Sequence, residues 1–180
     1  MSISRDVLQK YVKPGTTFVE TGTRWGTTAL RAIDCGARIY VGCESDWRFA
    51  FSAKEMLCEV FARLLERREI KITVVHCESK NLLSYATQFF KDRTSDEKMM
   101  VFLDAHTDSH SPILDELAAI KGWNPEPDLI LVDDVRLFRS GQWGITLEQV
   151  IDSIDRIGRY EYGCENGYRS EDILVAKRKS

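Results

Sequence analysis

The chain has 180 residues and a mass of 20.7 kDa, with 43% hydrophobic and 29% charged residues. This size supports one well-buried core and is short for two, so we predict a single domain over residues 1–180. The formal net charge is −3 and offers no excess of basic residues to a phosphate backbone. We therefore expect no nucleic-acid partner.

The five cysteines are odd in number and none stands in a CxxC spacing. This usage indicates reduced thiols rather than a disulfide framework or a zinc site. The N-terminal segment carries charges where a signal peptide has its apolar stretch, and no apolar run approaches the roughly 18 residues of a membrane-spanning helix. We expect a cytoplasmic protein that does not associate with membranes.

Short apolar runs alternate with longer amphipathic ones along the chain. Ser4–Val12 predicts a first helix, which Pro14 and Gly15 end. Five apolar runs then predict strands: TTFVE, RIYVGCE, IKITVVHC, MMVFLDAH and DLILVDDV. The helices predicted after them are Thr27–Asp34, Asp46–Arg68, Asn81–Phe90, the segment PILDELAAI and Thr146–Ile157. Two further strands, RYEYGC and DILVAKR, close the chain around a turn-rich segment.

This alternation predicts an α/β fold. Nearly unbroken apolar strands are typical of a parallel sheet that is covered on both faces. The final hairpin contains no helix, so its last strand should run antiparallel to the others. We predict a single Rossmann-like, doubly wound sheet of seven strands, mostly parallel with the last strand antiparallel, and helices on both faces.

Acidic residues follow the predicted strands. Glu20 and Glu44 end the first two strands, Asp104 follows the fourth, and Asp133 and Asp134 follow the fifth. In a doubly wound sheet, ligands bind in the crevice outside the carboxyl ends of the strands, where the strand order reverses. One acid in such a loop means little, but their recurrence along one edge of the sheet predicts a functional site there.

The segment ETGTRWGTT, which begins at Glu20, combines an acid, two glycines and a new helix N-terminus. Gly22 and Gly26 allow a tight turn, but their spacing departs from the G-x-G-x-x-G of dinucleotide sites. Glu20 would repel a phosphate and attract a cation. Glu44 stands 18 residues after Gly26, where a carboxylate can accept hydrogen bonds from both ribose hydroxyls. A ribose together with a positive charge suggests S-adenosylmethionine (SAM).

These motifs resemble the class I SAM-dependent methyltransferases. The common first motif of that family is E-x-G-x-G-x-G, and here Arg24 replaces the middle glycine. A similar departure, E-x-G-x-x-x-G-x-S/T, is found in the metal-dependent O-methyltransferases of the catechol and caffeoyl-CoA type, with the macrocin-type sugar methyltransferases nearby. The resemblance covers nearly the whole chain.

The resemblance also implies a metal site. FLDAHTDSH and LILVDDV match the motifs that supply metal ligands after strands four and five, which implies Asp104, Asp133 and Asp134 as ligands of a divalent metal, Mg²⁺ above all. Independently of family, three carboxylates on adjacent strand ends repel one another unless a cation lies between them. The alternative is that Asp134 caps a loop and Asp104 binds the cofactor directly.

His106 is the predicted catalytic base, with Asp104 as the second catalytic residue. A neutral imidazole can take the proton of a substrate hydroxyl as the methyl group arrives. The alternative is a polar loop in which His106 is only solvated, and His110 is interpreted as structural. The family often has Lys near the position of His106, so the identity of the base stays open.

For the cofactor, the resemblance implies Glu20 and Gly22 at the methionine end, Glu44 at the ribose and Ser79 near the adenine. The full predicted cofactor set is Glu20, Gly22, Thr23, Gly26, Thr27, Thr28, Glu44, Ser45, Ser79 and Asp104.

The predicted activity is methyl transfer from SAM to a hydroxyl of a small molecule, helped by a divalent metal. Three alternatives remain: a metal-independent methyltransferase, a non-catalytic cofactor-binding protein, and a nicotinamide enzyme, which the glycine spacing disfavours. A second subunit could complete the substrate pocket, so a homodimer is a further expectation. The sequence does not identify the substrate.

Overall fold

The computed structural model describes residues 3–67, 69–90, 97–167 and 169–179, with the side chains of residues 89 and 90 left out. The strands are β1 Thr16–Thr21, β2 Ala37–Glu44, β3 Lys71–His76, β4 Met99–Leu103, β5 Leu129–Val132, β6 Tyr160–Glu165 and β7 Ile173–Arg178. The helices are α1 Arg5–Tyr11, α2 Thr27–Asp34, α3 Trp47–Val60, α4 Ala62–Glu66, α5 Ser79–Tyr85, α6 Ile113–Ile120, α7 Val135–Ser140 and α8 Leu147–Asp155, with a 3-10 helix over Ala86–Phe90. Among the described helices, none is long and apolar enough to cross a membrane.

The seven strands form one sheet in the order β3-β2-β1-β4-β5-β7-β6. Strands β1 to β5 pair in parallel, whereas β7 runs antiparallel to both β5 and β6. This confirms the predicted fold, including the antiparallel last strand. After β1 the chain crosses to β2 on one side and later to β4 on the other, so the strand order reverses between β1 and β4. The crevice at this point is where doubly wound folds bind ligands.

Two apolar clusters cover the two faces of the sheet. Alternate residues of each strand point to opposite faces, as Phe18 and Val19 of β1 do. Helices α1, α2 and α3 pack on the face of Phe18. Helices α5, α6 and α8 pack on the face of Val19. The central strands β1, β4 and β5 are buried on both faces, which explains their continuous apolar runs, whereas the edge strands β3 and β6 are partly exposed.

Three predicted elements differ in detail. The helix predicted over Asp46–Arg68 is broken at Phe61 into α3 and α4, and its predicted end at Arg68 lies outside the described residues. The helix predicted over Asn81–Phe90 begins earlier, at Ser79, and continues as a 3-10 helix. The segment between β5 and the helix predicted from Thr146, for which no helix was predicted, contains α7. A helix of six residues is too short to give a periodic hydrophobic signal.

Candidate cofactor and active site

A cavity of about 850 Å³ opens at the carboxyl ends of β1, β2, β3, β4 and β5. It is lined by residues from each of the loops that follow these strands. The predicted site residues in its wall are Gly22, Thr23, Thr27, Thr28, Glu44, Ser45, Ser79, Asp104, His106, Asp133 and Asp134. Two predicted cofactor residues, Glu20 and Gly26, lie behind this wall. The structure therefore brings most of the predicted site to one place.

Gly22 holds the loop after β1 against the loop after β4. Its φ of 74° is in the left-handed region, and a Cβ at this position would lie 2.7 Å from the backbone oxygen of Asp104. The glycine is thus required by contact between two loops of the protein. The sequence analysis assigned Gly22 to a tight turn, and the structure adds the close approach of the two loops as a second reason for glycine.

Glu44 is fixed at the end of β2 by backbone donors. Its Oε2 accepts from the N–H of Arg24 at 2.9 Å, and its Oε1 accepts from the N–H of Asp46 at 3.0 Å. A carboxylate has about four acceptor positions, so these bonds leave capacity for further donors. Glu44 therefore faces the cavity as a positioned acceptor, as the prediction requires.

Glu20 belongs to a buried network and not to the cavity wall. The side chain is 1% exposed, and its Oε2 accepts from the hydroxyl of Tyr40 at 2.5 Å. The Tyr40 hydroxyl also lies 3.0 Å from Thr23 Oγ1. Burial raises the pKa of Glu20 to about 8. Glu20 is therefore not exposed at the cavity surface, where the prediction placed it against the cationic end of the cofactor, and it supports the cavity wall through Tyr40 and Thr23.

Gly42 on β2 makes room for this network, and the sequence analysis missed it. A Cβ there would stand 2.3 Å from both the Tyr40 hydroxyl and Thr23 Oγ1. The hydroxyls of Tyr40 and Thr23 can meet only because position 42 carries no side chain. Tyr40 was missed as well, because inside an apolar strand it gives no signal that its hydroxyl reaches Glu20.

Helix α2 begins at the cavity. Its N-cap is Gly26, which offers no capping side chain, and its first two residues, Thr27 and Thr28, line the cavity wall. The first N–H groups of a helix have no partner within it and favour negative charge.

On the other face of the sheet, Ser79 contacts a second buried acid. The carboxyl of Glu116 on α6 is 1% exposed, its Oε1 has no hydrogen-bond partner, and Ser79 and Thr21 are the hydroxyls that act on it. Burial raises the pKa of Glu116 to about 7. Glu116 reads in the sequence as an ordinary residue of an amphipathic helix, so nothing local indicates this role.

His106 joins two acids at the opposite end of the cavity from Glu44. Its Nε2 lies 2.9 Å from Asp134 Oδ2 and 3.9 Å from Asp104 Oδ1. The hydrogen bond with Asp134 raises the pKa of His106. The His106 ring packs against Trp143, with ring centroids 5.2 Å apart, and Trp143 packs on Phe138 of α7. The helix that the sequence analysis missed therefore holds the histidine in place.

Arg136 and Asp172 complete the surroundings of Asp134. The Arg136 Nη1 lies 2.5 Å from Asp134 Oδ1 and also pairs with Asp172, which is 1% exposed. Although burial acts to raise the pKa of Asp134, His106 and Arg136 together lower it. The repulsion between carboxylates, on which the sequence argument for a metal depends, is thus partly relieved within the chain.

The predicted metal ligands divide between two sets. Asp104, His106 and Asp134 can bring one ligand atom each to within 4.8 Å of one another, and so can Asp133, Asp134 and Asp172. Asp133 is 6% exposed, its Oδ1 is buried without a hydrogen-bond partner, and burial raises its pKa to about 6. Among the described residues, no set contains Asp104, Asp133 and Asp134 together. All three residues of the first set, which has His106 in place of Asp133, line the cavity, whereas Asp172 of the second set is not among the lining residues.

No protein-family model matches the chain, and no curated protein matches it in sequence. Solved structures do share its fold. A magnesium protoporphyrin IX methyltransferase from Synechocystis PCC 6803 with bound SAM covers 97% of this chain and 78% of its own at 14% identity, with a TM-score of 0.62. An O-methyltransferase from Bacillus cereus in complex with S-adenosylhomocysteine (SAH) covers 97% and 80% at 13% identity, with a TM-score of 0.57.

A third similar structure, a putative rRNA methylase from Clostridium thermocellum, covers 97% of this chain and 95% of its own at 10% identity, with a TM-score of 0.57. Identities this low show the fold alone, and the three proteins differ in what their names say they methylate. The chain has the Rossmann-like fold of SAM-dependent methyltransferases.

Proposed function

We propose that this protein is a SAM-dependent methyltransferase that acts on a hydroxyl group of a small molecule. The observation that carries the proposal is the cavity at the switch point, which has a fixed carboxylate acceptor at one end and a histidine paired with acids at the other. Its volume of about 850 Å³ is within the range of small-molecule sites. The fold shared with SAM-bound methyltransferases supports the same conclusion.

The cofactor would lie across the ends of β1 and β2. Glu44 would accept from the ribose hydroxyls with the acceptor capacity that its backbone bonds leave. The N-terminus of α2, at Thr27 and Thr28, would receive the carboxylate of the methionine moiety. Ser79, at the start of α5, would contact the adenine side.

The acceptor hydroxyl would lie beside His106, Asp104 and Asp134. Two carboxylate oxygens and one imidazole nitrogen are a donor set that divalent cations accept, so these residues fit the metal that the resemblance implies. Such a cation, when bound, lowers the pKa of a coordinated hydroxyl. Without a cation, Asp134 would still orient the His106 ring. The imidazole would then take the hydroxyl proton at pH values above the raised pKa of His106.

The experiment is a methyl-transfer screen over hydroxylated small molecules, run with Mg²⁺ and with excess EDTA. Replacing His106 by Gln removes the nitrogen that faces both acids and should lower kcat by about 10²-fold. His110→Gln, in the same exposed loop, is the matched control and should leave kcat unchanged. SAH affinity should be retained in both variants, because neither residue is placed at the cofactor.

The outcomes separate the remaining alternatives. Loss of turnover in EDTA with recovery on adding Mg²⁺ supports the metal, whereas full turnover in EDTA assigns proton removal to the His106 pair alone. Binding of SAH without transfer to any acceptor, including amines and thiols, would support the non-catalytic alternative. Full activity of His106→Gln would contradict the placement of the acceptor.

A further inference from the structure

Two cysteines lie side by side in the wall of the cavity. Cys43 is the penultimate residue of β2, and Cys77 follows the end of β3, its parallel neighbour in the sheet. The backbone N–H of Cys77 donates to the carbonyl of Glu44 at 3.1 Å, which holds the two strand ends together. Cys43 pairs with Val75 across the sheet, so Cys77 lies two residues farther along on the same face, where its thiol interacts with that of Cys43. Both residues line the cavity.

The two thiols have unequal surroundings. Cys77 is partly exposed and its sulfur accepts a hydrogen bond from the Tyr85 hydroxyl at 3.7 Å, whereas Cys43 is 1% exposed. Interaction with the Cys43 thiol is the main cause that lowers the pKa of Cys77, to about 6. The same interaction, together with burial, raises the pKa of Cys43. Cys77 is therefore the thiol of the pair that ionises first.

A partly exposed thiolate next to a second thiol is the arrangement of redox-sensitive cysteine pairs. The methyl transfer proposed above has no use for either sulfur. The packing of the sheet does not require cysteine at these two positions either, because other small residues also fit at the end of a strand.

We propose that Cys77 and Cys43 form a redox-reactive pair that a peroxide converts to a disulfide in the wall of the cavity. The Cys77 thiolate attacks one peroxide oxygen, the O–O bond breaks, and a sulfenic acid and hydroxide result. The Cys43 sulfur then attacks the Cys77 sulfur, an S–S bond forms, and the S–O bond breaks. The hydroxyl leaves as water with the Cys43 proton. In total the two thiols lose two electrons, and hydrogen peroxide is reduced to two molecules of water.

The disulfide would change the cavity next to Glu44. Because Cys43 immediately precedes Glu44, joining the ends of β2 and β3 through sulfur should shift this acceptor and weaken cofactor binding. This consequence rests on the proposed function, whereas the thiol chemistry does not.

The thiol chemistry is tested by treating the reduced protein with hydrogen peroxide and measuring intact mass and cross-linked peptides. The expected product has lost two hydrogens and contains a peptide joining Cys43 to Cys77. Cys77→Ser should abolish it, and Cys43→Ser should leave a Cys77 sulfenic acid that dimedone traps. Cys58→Ser and Cys164→Ser are the controls and should leave the disulfide unchanged.

A second readout is alkylation by iodoacetamide at neutral pH. Cys77 should react about tenfold faster than the exposed Cys164, because thiolates are the reacting species. The proposal is overturned if no Cys43–Cys77 peptide forms, or if dimedone labels Cys77 equally in the wild type and in Cys43→Ser. It is also overturned if Cys77 reacts no faster than Cys164.

Titration with SAH before and after oxidation separates this proposal from the proposed function. If the disulfide forms but the protein does not bind SAH, the thiol proposal is supported and the proposed function is contradicted. If the protein binds SAH but no disulfide forms, the proposed function is supported and the thiol proposal is contradicted. If both hold, oxidation should weaken SAH binding, and dithiothreitol should restore it. Equal affinity in both redox states would remove the effect on the cavity.

Discussion

At the scale of single residues, the candidate site depends on side chains that the backbone fixes before any ligand arrives. Glu44 shows this most clearly. Its two carboxylate oxygens each accept a backbone N–H, one from Arg24 and one from Asp46. An acceptor held in this way loses little conformational freedom on binding, so the interaction that it forms is more favourable.

Replacing Glu44 by Ala should weaken SAH binding by about 1–3 kcal/mol, because a ribose held in the cavity loses a charged acceptor. Isothermal titration measures the change. The control is Glu55→Ala, an exposed acid on α3, which should bind SAH as the wild type does. Unchanged affinity in a folded Glu44→Ala protein would remove Glu44 from the site.

At the scale of elements, the site is assembled by close contact between the loops that follow β1 and β4. Gly22 in the first loop lies against the backbone of Asp104 in the second. This contact places the loop after β1, where the cofactor is proposed to bind, beside Asp104, which belongs to the end of the cavity proposed for the acceptor hydroxyl. The two ends of the site are thus joined through backbone and not only through side chains.

Gly22→Ala should therefore lower the free energy of unfolding by about 1–3 kcal/mol and also weaken SAH binding. The new Cβ would meet the Asp104 carbonyl at 2.7 Å in a backbone conformation of positive φ. Gly163→Ala in β6 is the matched control, since a Cβ there meets nothing within 4 Å. Denaturant unfolding measures the stabilities of the two variants, and calorimetric titration measures their affinities for SAH. Equal stabilities of the two variants would show that the loop contact carries no energy.

Much of the site follows from the sequence because it depends on strand ends. Once parallel strands are predicted, the residues that follow them must gather at one edge, and Glu44, Asp104 and Asp134 do. The roles of Glu20 and Glu116 did not follow, because their partners come from distant segments. Asp133 and Asp134 look equivalent in sequence, and only the structure shows that Asp134 pairs with His106 and Arg136 whereas Asp133 does not.

At the scale of the whole molecule, buried acids should set the pH dependence of stability. Burial raises the pKa of Glu20 to about 8 and that of Glu116 to about 7, both well above the ordinary value of 4.5 for a glutamate. The folded protein keeps these groups protonated at pH values where the unfolded chain has released the protons. The free energy of unfolding must then fall as the pH rises from about 5 to 8.

Glu20→Gln should flatten this fall, because an amide keeps an acceptor for Tyr40 and has no proton to lose. Thermal melting at several pH values between 5 and 8 tests the expectation. Glu59→Gln, an exposed substitution on α3, should follow the wild-type curve. Parallel curves for Glu20→Gln and the wild type would show that Glu20 titrates normally in the folded state.

The central claim is that the cavity at the switch point binds SAM. Calorimetric titration of the reduced protein with SAH tests this claim most directly. A separate titration with NAD provides the comparison with another class of cofactor. The account predicts one SAH site per chain, no binding of NAD, and a melting temperature that rises with the logarithm of the SAH concentration above Kd. No heat and no thermal shift with SAH at millimolar concentration, or binding of NAD instead, would contradict it.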